Sequence, residues 1–383
     1  MSRWPIIPLK GHLSEVSERV GRSSTEILSV TNTAGFVRSL DVFDKQVFSK
    51  DMSNYKLVKH NDIAYNPSRI NVGSVARCSL SGGGAVSPMY VVVRCRQSLH
   101  PQYLLYYLKS DIGRQHIAHR CVGAVRFQLR YTDLEQLEIP LPPPDAQNRI
   151  VRIIDETDEL RRLRAEADGL TNNLIPALFL EMFGDPTANT TGLPTARLGD
   201  VGKLQRGRFT PRPRNDPSYF GGPYPFIQTG DISESCGLLS TWRQTLNDEG
   251  KAVSKEFPAG TIVLAIVGAT IGATAILQVP MYCTDSIVGI QVDPKHCFVE
   301  YLEFVLRARR PLLLAQAPDA ARANLNLEIL RNLLIPLPPL EFQAKFVQQV
   351  SEIRDLKALQ ASSRRRLDDF FQSLLHRAFQ GEL

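Results

Sequence analysis

The stretch Ile139-Pro140-Leu141-Pro142-Pro143 returns 196 residues later as Ile335-Pro336-Leu337-Pro338-Pro339. Each copy is followed by a glutamine and then by a long helical pattern. Proline cannot donate a backbone hydrogen bond and biases the preceding residue to extended backbone, so each copy predicts a stiff elbow between a globule and a helix. The same spacing extends along the chain on both sides of the elbows, in the pairs Leu134 and Leu330, Leu160 and Leu356, and Phe183 and Phe379. A repeat of nearly 200 residues indicates a duplicated domain rather than a solenoid.

A long helix is predicted after each elbow, over about residues 145–183 and 341–383. Apolar residues fall at heptad spacing in both helices, which is typical of a seam that packs on a partner helix. At about 1.5 Å per residue each helix would span roughly 50 Å, and Pro176 should kink or split the first one near its end. We expect the two helices to pack antiparallel, with these coiled-coil and partner positions: Ile153, Leu160, Leu163, Leu170, Leu174, Ile353, Leu356, Leu367, Phe370 and Leu374.

The predicted fold class is therefore α+β, with two pseudo-symmetric mixed α/β globules separated by two long antiparallel coiled-coil helices. The expected boundaries are a first globule over 1–144, a central spacer helix over 145–185, a second globule over 186–340 and a C-terminal spacer helix over 341–383. Short β-type runs and one longer helix recur in both globules at matching places.

The composition excludes several classes of protein. The chain has 383 residues, is 43% hydrophobic and contains no run of about 18 apolar residues that would suit a membrane span. No apolar leader follows the first methionine, so the expected location is the cytoplasm and no membrane partner is expected. The six cysteines are scattered without a C-x-x-C pair, which argues against a disulfide framework and against a zinc site. They are expected to be reduced and mostly buried.

The positive charge is concentrated on the globules. The formal net charge is +6, whereas residues 145–185 carry −4 and residues 341–383 carry +1, which leaves +9 for the rest. The densest basic run extends from Lys203 to Arg214, and the stretch 201–215 contains no acidic residue. A solvated surface run is the plain alternative, but the interleaved Phe209, Pro211 and Tyr219 favour a loop that faces DNA.

Catalytic motifs do not emerge from the sequence. Residues 199–204 resemble a phosphate-binding loop only superficially, because the spacing is wrong and no hydroxyl residue follows Lys203. The segment Asp216-Pro217-Ser218-Tyr219 is only partly similar to an amino-methyltransferase motif, since Ser218 replaces a proline and no glycine-rich cofactor motif precedes it. The chain is thus predicted to bind rather than catalyse. Two rivals stay open, namely a self-contained DNA-modifying or DNA-cleaving enzyme and a coiled-coil scaffold with no nucleic-acid role.

Taken in order and in duplicate, the motifs resemble the specificity subunit of type I restriction–modification enzymes over essentially the whole chain. The segments that carry the resemblance are Ile27–Thr33, Asn66–Arg69 with Gly73-Ser74, Leu198–Val201, Gln205–Gly207, Pro225–Ile232, Gly268–Gly272, the twin Ile-Pro-Leu-Pro-Pro-x-x-x-Gln elbows and Ala378–Leu383. The N-terminal half lacks the Arg-Gly and Thr-Gly-Asp-Ile segments of the C-terminal half. The two globules are therefore expected to read different sequences.

The resemblance implies a non-catalytic DNA reader that serves in phage defence. Each globule, a target recognition domain, would bind one half of a bipartite asymmetric site in double-stranded DNA, and the helices would fix the gap between the halves. Two methyltransferase subunits would dock on the helices and use S-adenosylmethionine to methylate adenine. Separate restriction subunits, which are motor-nucleases, would use ATP and Mg²⁺. This chain itself is expected to hold no cofactor, no metal and no catalytic residue.

The residues expected to contact DNA are basic, amide or hydroxyl side chains near the motifs and just before each elbow. Gly207 and Gly230 are expected to permit unusual backbone geometry. In the C-terminal globule the candidates are Lys203, Arg206, Arg208, Arg212, Arg214, Tyr219, Gln228, Thr229, Arg322, Asn324 and Asn326. In the N-terminal globule they are Asn32, Arg38, Asn66, Arg69, Asn71, Ser74, Arg126 and Arg130.

Overall fold

The computed structural model describes residues 4–21, 25–31, 35–39, 51–120, 128–235, 237–315 and 325–383. The chain folds into two compact units. The first unit is Met1–Ala167 together with Gln360–Leu383, and the second is Asp168–Leu359. Each unit therefore contains one globule and parts of both long helices.

The first unit is built from short strands and helices. Its strands are β1 (Ile6–Pro8), β2 (Leu13–Glu15), β3 (Leu28–Thr31), β4 (Gly35–Arg38), β5 (Lys56–Val58), β6 (Ile63–Tyr65), β7 (Val75–Arg77), β8 (Gly84–Val86), β9 (Val91–Cys95) and β10 (Glu138–Pro140). Its helices are α1 (Pro101–Lys109), α2 (Asp111–Arg120), α3 (Tyr131–Leu134) and most of α4 (Pro144–Asn172).

The second unit repeats this plan with additional strands. The helices are α5 (Leu174–Phe183), α6 (Leu198–Val201), α7 (Thr229–Glu234), α8 (Asp248–Val253), α9 (Val299–Ala308), α10 (Arg310–Ala315), α11 (Leu327–Asn332) and the start of α12 (Leu340–Gln380). The strands are β11 (Thr195–Arg197), β12 (Gly202–Arg206), β13 (Phe220–Ile227), β14 (Leu238–Leu239), β15 (Gln244–Leu246), β16 (Lys255–Phe257), β17 (Ile262–Ala265), β18 (Thr274–Leu277), β19 (Met281–Cys283), β20 (Ile287–Val292) and β21 (Leu334–Pro336).

The sheets of the two units share their topology. The main sheet of the first unit has the order β2-β9-β6-β7, and that of the second has the order β12-β20-β17-β18-β14, so β14 is added at one edge. In both, the first strand and the central strands pair antiparallel. The duplication seen in the sequence is therefore present in the fold, and the predicted α+β class is confirmed.

Each proline-rich elbow is a short strand held by the globule. Ile139 of β10 pairs with Ile7 of β1, and Ile335 of β21 pairs with Ala196 of β11. The elbow carbonyls also accept hydrogen bonds from buried tyrosines, Tyr103 to Pro140 at 2.7 Å and Tyr301 to Pro336 at 3.0 Å. Because proline lacks an N–H but keeps its carbonyl, it serves here as an acceptor.

The glutamine after each elbow fastens the following helix to its globule. Gln147 is fully buried, donates to the carbonyls of Pro142 at 2.8 Å and Ser98 at 2.9 Å, and accepts from the backbone N–H of His100 at 2.7 Å. An amide side chain offers two donors and one acceptor oxygen, so these contacts use both ends of the group.

Gln343 repeats the arrangement in the second unit. It donates to Pro338 at 2.8 Å and to His296 at 3.4 Å, and its oxygen accepts from the backbone N–H of Phe298 at 2.9 Å. Like Gln147 it is fully buried. The same side chain therefore performs the same task twice.

The first long helix is split where the proline predicted it. Helix α4 ends at Asn172 and α5 begins at Leu174, with Pro176 in the first turn of α5. Proline fits the start of a helix because the first N–H groups have no partner within the helix. The expectation drawn from Pro176 is therefore confirmed.

Helical segments pack on the globule within each unit. In the first unit, Phe379 of α12 contacts Tyr103 and Tyr107 at centroid distances of 5.3 and 5.2 Å. Along the same two helices, Arg161 of α4 forms an ion pair with Asp368 of α12 at 2.8 Å. Since the beginning of α4 and the end of α12 both reach the same globule, the two segments run antiparallel in this unit.

An aromatic cluster plays the same part in the second unit. Phe179 and Phe183 of α5 pack against Phe346 of α12 at centroid distances of 5.4 and 5.6 Å. Tyr301 of α9 completes the cluster, 5.1 Å from Phe183. Aromatic pairs at such separations contribute stability beyond that of the area they bury. Aromatic packing therefore fastens each globule to its helices.

Most of the predicted seam positions do not pack inside this chain. Leu374 is buried, whereas Ile153, Ile353 and Leu367 are half-buried. The other six are exposed, with relative exposures of 55% for Leu160, 49% for Leu163, 78% for Leu170, 41% for Leu174, 44% for Leu356 and 53% for Phe370.

The inward stripe of α4 follows a different register, in which polar residues take part. Gln147, Ile150, Ile154 and Thr157 are buried in sequence at helical spacing, and Arg161 lies over the ring of Phe371 at 4.3 Å. A search for apolar heptads does not select these polar positions and selects neighbouring leucines instead. The polar contacts of the globule and of α12 therefore decide which face turns inward.

Candidate nucleic-acid interface

One end of the main sheet of the second unit gathers the basic run. Arg206 at the end of β12 pairs with Val288, and Ala265 at the end of β17 pairs with Ile287. The chain therefore leaves β12 and β17 at the same end at which it enters β20. The loop between β19 and β20, which contains Asp285, lies at this end as well.

Three arginines converge there on one residue, Asp285, and we call Arg206, Arg212, Arg214 and Asp285 the Asp285 cluster. Arg214 donates through Nη2 to both oxygens of Asp285, at 2.7 and 2.8 Å. Arg206 donates through Nε to the backbone carbonyl of Asp285 at 2.5 Å. Nη2 of Arg212 lies 3.6 Å from Oδ2. Three guanidinium groups and one carboxylate leave a formal charge of +2 on an exposed surface.

A glycine makes this close approach possible. A Cβ on Gly207 would lie 2.1 Å from the carbonyl oxygen of Thr284, well inside contact distance. The N–H of Gly207 donates to Ile287 at 2.8 Å, and the N–H of Arg208 donates to Cys283 at 3.1 Å. The prediction for Gly207 is therefore confirmed, because any side chain would push the loops apart.

Gly230 does not have the role predicted for it. A Cβ there would meet only Nη1 of Arg243 at 3.8 Å, an ordinary contact, and its φ is not in the left-handed region. The Thr-Gly-Asp-Ile segment instead begins α7, where a carboxylate oxygen of Asp231 accepts from the backbone N–H of Gln228 at 2.8 Å. The glycine is thus not required by the backbone of this turn.

A second basic group lies beside β12. Arg208 donates to the carbonyl of Ser254 at 3.0 Å, and burial, together with the charges of Lys203 and Arg208, lowers the pKa of Lys255. Lys203 sits near the beginning of β12, away from the end that carries the Asp285 cluster. The run of basic residues is therefore divided between two places.

The remaining candidates of this unit differ in their exposure and in their contacts. Gln228 is exposed and donates to Gln244 at 2.6 Å, while Thr229 is half-buried. Tyr219 is half-buried against Phe209, at a centroid distance of 6.1 Å. Asn326 caps α11, since its Oδ1 accepts from the N–H of Ile329 at 2.8 Å.

In the first unit the candidates group around the loop between β6 and β7. Asn66 begins this loop, and Arg69 and Asn71 are exposed on it. The N–H of Leu129 donates to the carbonyl of Pro67 at 3.1 Å, which brings exposed Arg130 to the same place. Candidate residues distant in the sequence therefore lie together here.

Two candidates of the first unit do not join this group. Ser74 is buried, with a relative exposure of 4%, so its side chain is not presented on the surface beside the others. Its backbone carbonyl accepts from the N–H of Asn66 at 3.0 Å and closes the loop. Arg38 forms an exposed ion pair with Glu26 at 2.8 Å. Four further candidates lie outside the described residues, namely Asn32, Arg126, Arg322 and Asn324.

Sequence reasoning missed Asp285 and Lys255. Asp285 follows the basic run by about seventy residues, and only the pairing of β12 with β20 brings it to the arginines. Lys255 begins a strand that pairs with β19. An acidic or basic residue next to a strand end could have been noted as a candidate, but the sequence does not show which strand ends meet.

The described parts of the chain offer no metal site and no membrane-spanning helix. Across the ranges given above, no group of three or more His, Cys, Asp or Glu side chains could hold a metal ion. Over the same ranges, no helix combines the length and the apolar character needed to cross a bilayer. The described cysteines are free, and burial raises the pKa of Cys95 and of Cys297 to about 12.

Known proteins match this chain in both sequence and fold. The family model for the type I restriction modification DNA specificity domain matches residues 48–167 and 193–364. A putative type I restriction enzyme MjaX specificity subunit of Methanocaldococcus jannaschii is 19% identical over 96% of this chain and 88% of its own length.

Solved structures show the same fold at low sequence identity. One, from a study of complex assembly and conformational transition in the type I R-M system, has a TM-score of 0.67 at 20% identity and covers 99% of this chain and 98% of its own. The HsdS subunit of Thermoanaerobacter tengcongensis has a TM-score of 0.52 at 22% identity, covering 99% and 97%. The type I S subunit of M. genitalium has a TM-score of 0.57 at 14% identity, covering 99% and 96%. Because the family model matches both globules and most of the chain, the protein belongs to the type I restriction–modification DNA specificity family, whose members supply DNA sequence recognition.

Proposed function

We propose that each unit reads one half of a bipartite asymmetric site in double-stranded DNA. In the second unit the reading surface is the sheet end that carries the Asp285 cluster. In the first unit it is the loop between β6 and β7 together with Arg130. The observation that carries the proposal is the convergence of three arginines on one exposed sheet end, since arginine is suited to phosphates and to guanine edges.

Electrostatics supports the assignment of DNA contacts to the globules. The globules carry a formal charge of +9 and the helical segments carry little or negative charge. Positive charge on a protein displaces counterions from DNA, so affinity should fall steeply with salt. The helices, in contrast, would face protein.

The exposed leucines of the helices fit the docking of two methyltransferase subunits. Leu160, Leu163 and Leu170 on α4 and Leu356 on α12 are 44–78% exposed. Apolar side chains exposed in rows are typical of surfaces that a partner covers. In this proposal the methyltransferase subunits bring S-adenosylmethionine, the restriction subunits bring ATP and Mg²⁺, and the complex acts in the cytoplasm.

The long helices would set the distance between the two half-sites. Helix α12 is continuous over 41 residues and contributes to both units. At about 1.5 Å per residue it extends roughly 60 Å, compared with the ~34 Å between successive major-groove contacts on one face of the duplex. A helix of this length is adequate for the spacing role proposed for it.

The proposal is tested with the full chain bound to its methyltransferase subunits. Methylated positions are mapped on a library of random duplexes, and affinity for one methylated site is measured across a series of rising salt concentrations. We expect one motif with two unrelated halves and a steep loss of affinity with salt. Methylation without a motif, or affinity indifferent to sequence and salt, would contradict the proposal. Methyl transfer or cleavage by this chain alone would favour a self-contained enzyme.

A further inference from the structure

We propose that Asp285 is a positioning residue for DNA specificity, which holds Arg206 and Arg214 so that Arg206 reads a guanine in the half-site of the second unit. This inference rests on the proposed function and adds the base and the residues that select it. Asp285 belongs to none of the recognised motifs, and the structure alone brings it to the arginines.

The hydrogen bonds of Arg206 leave its far edge available. Its Nε donates to the carbonyl oxygen of Asp285 at 2.5 Å, which fixes the plane of the guanidinium. Among the described residues neither terminal amino group of Arg206 has a hydrogen-bond or ion-pair partner. Two parallel N–H donors in one plane match O6 and N7 of guanine in the major groove. An arginine held by Nε therefore presents the edge that guanine recognition needs.

The carboxylate of Asp285 has a different role from that of its backbone carbonyl. Both of its oxygens accept from Nη2 of Arg214, and Nη2 of Arg212 lies 3.6 Å from Oδ2. Without this charge, three guanidinium groups on one sheet end would repel each other. The carboxylate therefore keeps Arg212 and Arg214 beside Arg206, where their remaining donors can bind phosphate.

The backbone that carries Asp285 is fixed on both sides. Gly207 approaches Thr284 so closely that a Cβ would lie 2.1 Å from its carbonyl oxygen. The N–H of Ile266 donates to the carbonyl of Ser286 at 3.0 Å. A specific contact with a base needs this rigidity, because an arginine that can bind several partners discriminates poorly between bases.

The test compares four variants of the full chain in complex with its methyltransferase subunits. Arg206→Lys removes the paired donors, and Asp285→Asn removes the charge that holds Arg212 and Arg214. The matched controls are Arg331→Lys and Asp293→Asn. Asp293 directly follows the far end of β20 from Asp285, and Arg331 lines a shallow concavity with it at that end. Each complex is given a library randomised over both half-sites, and the bound sequences are counted.

For the wild type we expect a guanine position in one half-site. Arg206→Lys should lower the preference for that guanine by about 10- to 100-fold, the discrimination of a bidentate contact. Asp285→Asn should lower it less, by roughly 5- to 20-fold, because Arg206 keeps its backbone acceptor at residue 285 and only the neighbouring arginines lose their carboxylate. The other half-site and the two controls should stay unchanged. A wild-type motif whose guanine preference survives both variants, or variants that weaken all sequences equally, would overturn the inference. A wild type that shows no motif at all would instead overturn the proposed function.

Discussion

The two units share a scaffold and differ where the first strand of the main sheet ends. In the first unit this end carries Glu15, and the chain beyond it carries Glu18, which pairs with Lys59 at 3.1 Å. In the second unit the corresponding end carries Arg206 and leads into Arg208. The end of the first strand of the main sheet therefore lies beside an ion pair in the first unit and beside excess positive charge in the second.

One lysine shows the contrast directly. Lys56 begins β5 in the first unit, donates to the carbonyl of Tyr90 at 2.8 Å and lies 3.8 Å from Glu15. Lys255 begins the corresponding strand of the second unit, and the neighbouring charges of Lys203 and Arg208 contribute to lowering its pKa. The elbow strands, the buried tyrosines and the buried glutamines are in contrast the same in both units. The duplication thus kept its scaffold and changed its surface, which agrees with the proposal that the two units read different sequences.

The largest effect that we predict concerns the shared scaffold. Gln147→Ala leaves two carbonyls and one N–H without their partner, so it should lower the free energy of unfolding by about 3 kcal/mol. Gln343→Ala should cost nearly as much, since one of its contacts is longer, at 3.4 Å. Urea unfolding of the full chain measures both. A small loss in one variant beside a large loss in the other would break the equivalence of the two units.

Removing charge should separate the two half-sites. The double variant Arg212→Ala/Arg214→Ala should reduce the slope of log affinity against log salt by up to about 2, because each phosphate contact contributes ~0.9. The loss should fall on duplexes that carry the half-site of the second unit. Arg69→Ala/Arg130→Ala should weaken only duplexes that carry the other half. Equal losses on both kinds of duplex would show that the units are not independent readers.

A smaller effect is expected from the exposed leucines. Leu160→Ser/Leu170→Ser should leave the free energy of unfolding within about 0.5 kcal/mol of the wild type, because both side chains are more than half exposed. Association with the methyltransferase should weaken about tenfold, as expected when a covered apolar contact is lost. Isothermal titration calorimetry measures the affinity for the methyltransferase, and Glu166→Ser on the same helix is the control. Unchanged association would exclude this face as the docking surface.

The smallest predicted effect distinguishes the first turns of α1 and α9. His100 caps α1 by accepting from the N–H of Gln102 at 3.1 Å, whereas the corresponding residue of α9 is Phe298. Burial and the charge of Arg77 lower the pKa of His100. The folded form therefore favours the neutral ring, so this stability is complete above the usual pKa of about 6.5 and is lost as the pH falls through the lowered value.

His100→Asn keeps a capping acceptor but does not titrate. Between about pH 7 and pH 5 the wild type should lose about 1–3 °C more in thermal midpoint than this variant. His376→Asn, at an exposed position of α12, is the control and should behave like the wild type. Identical pH profiles for the wild type and His100→Asn would contradict the role of the cap.

Much of the fold could be predicted because the elbow repeats. Two identical proline-rich stretches define the duplication, and Pro176 marks the break in the first helix. The seam could not be predicted in the same way, because its inward positions include Gln147 and Thr157, which no apolar pattern selects. Their burial depends on partners in the globule that are distant in the sequence.

The candidate site was predictable only in part, for a similar reason. The run from Arg206 to Arg214 stands out in the sequence, but its acidic partner Asp285 reaches it only through strand pairing. Ser74 belongs to a motif that the sequence displays, but the backbone of its loop turns the residue inward. A sequence shows which residues could bind DNA, but the fold decides which of them are presented together.

We propose above that the second unit alone reads one half of a two-part site. Its most direct test maps methylated adenines in cells that express the methyltransferase with either the wild-type chain or Arg206→Ala. We expect a two-part motif for the wild type and, for the variant, relaxed base preference within one half while the other half is unchanged. A motif that changes in both halves, or in neither, would contradict it.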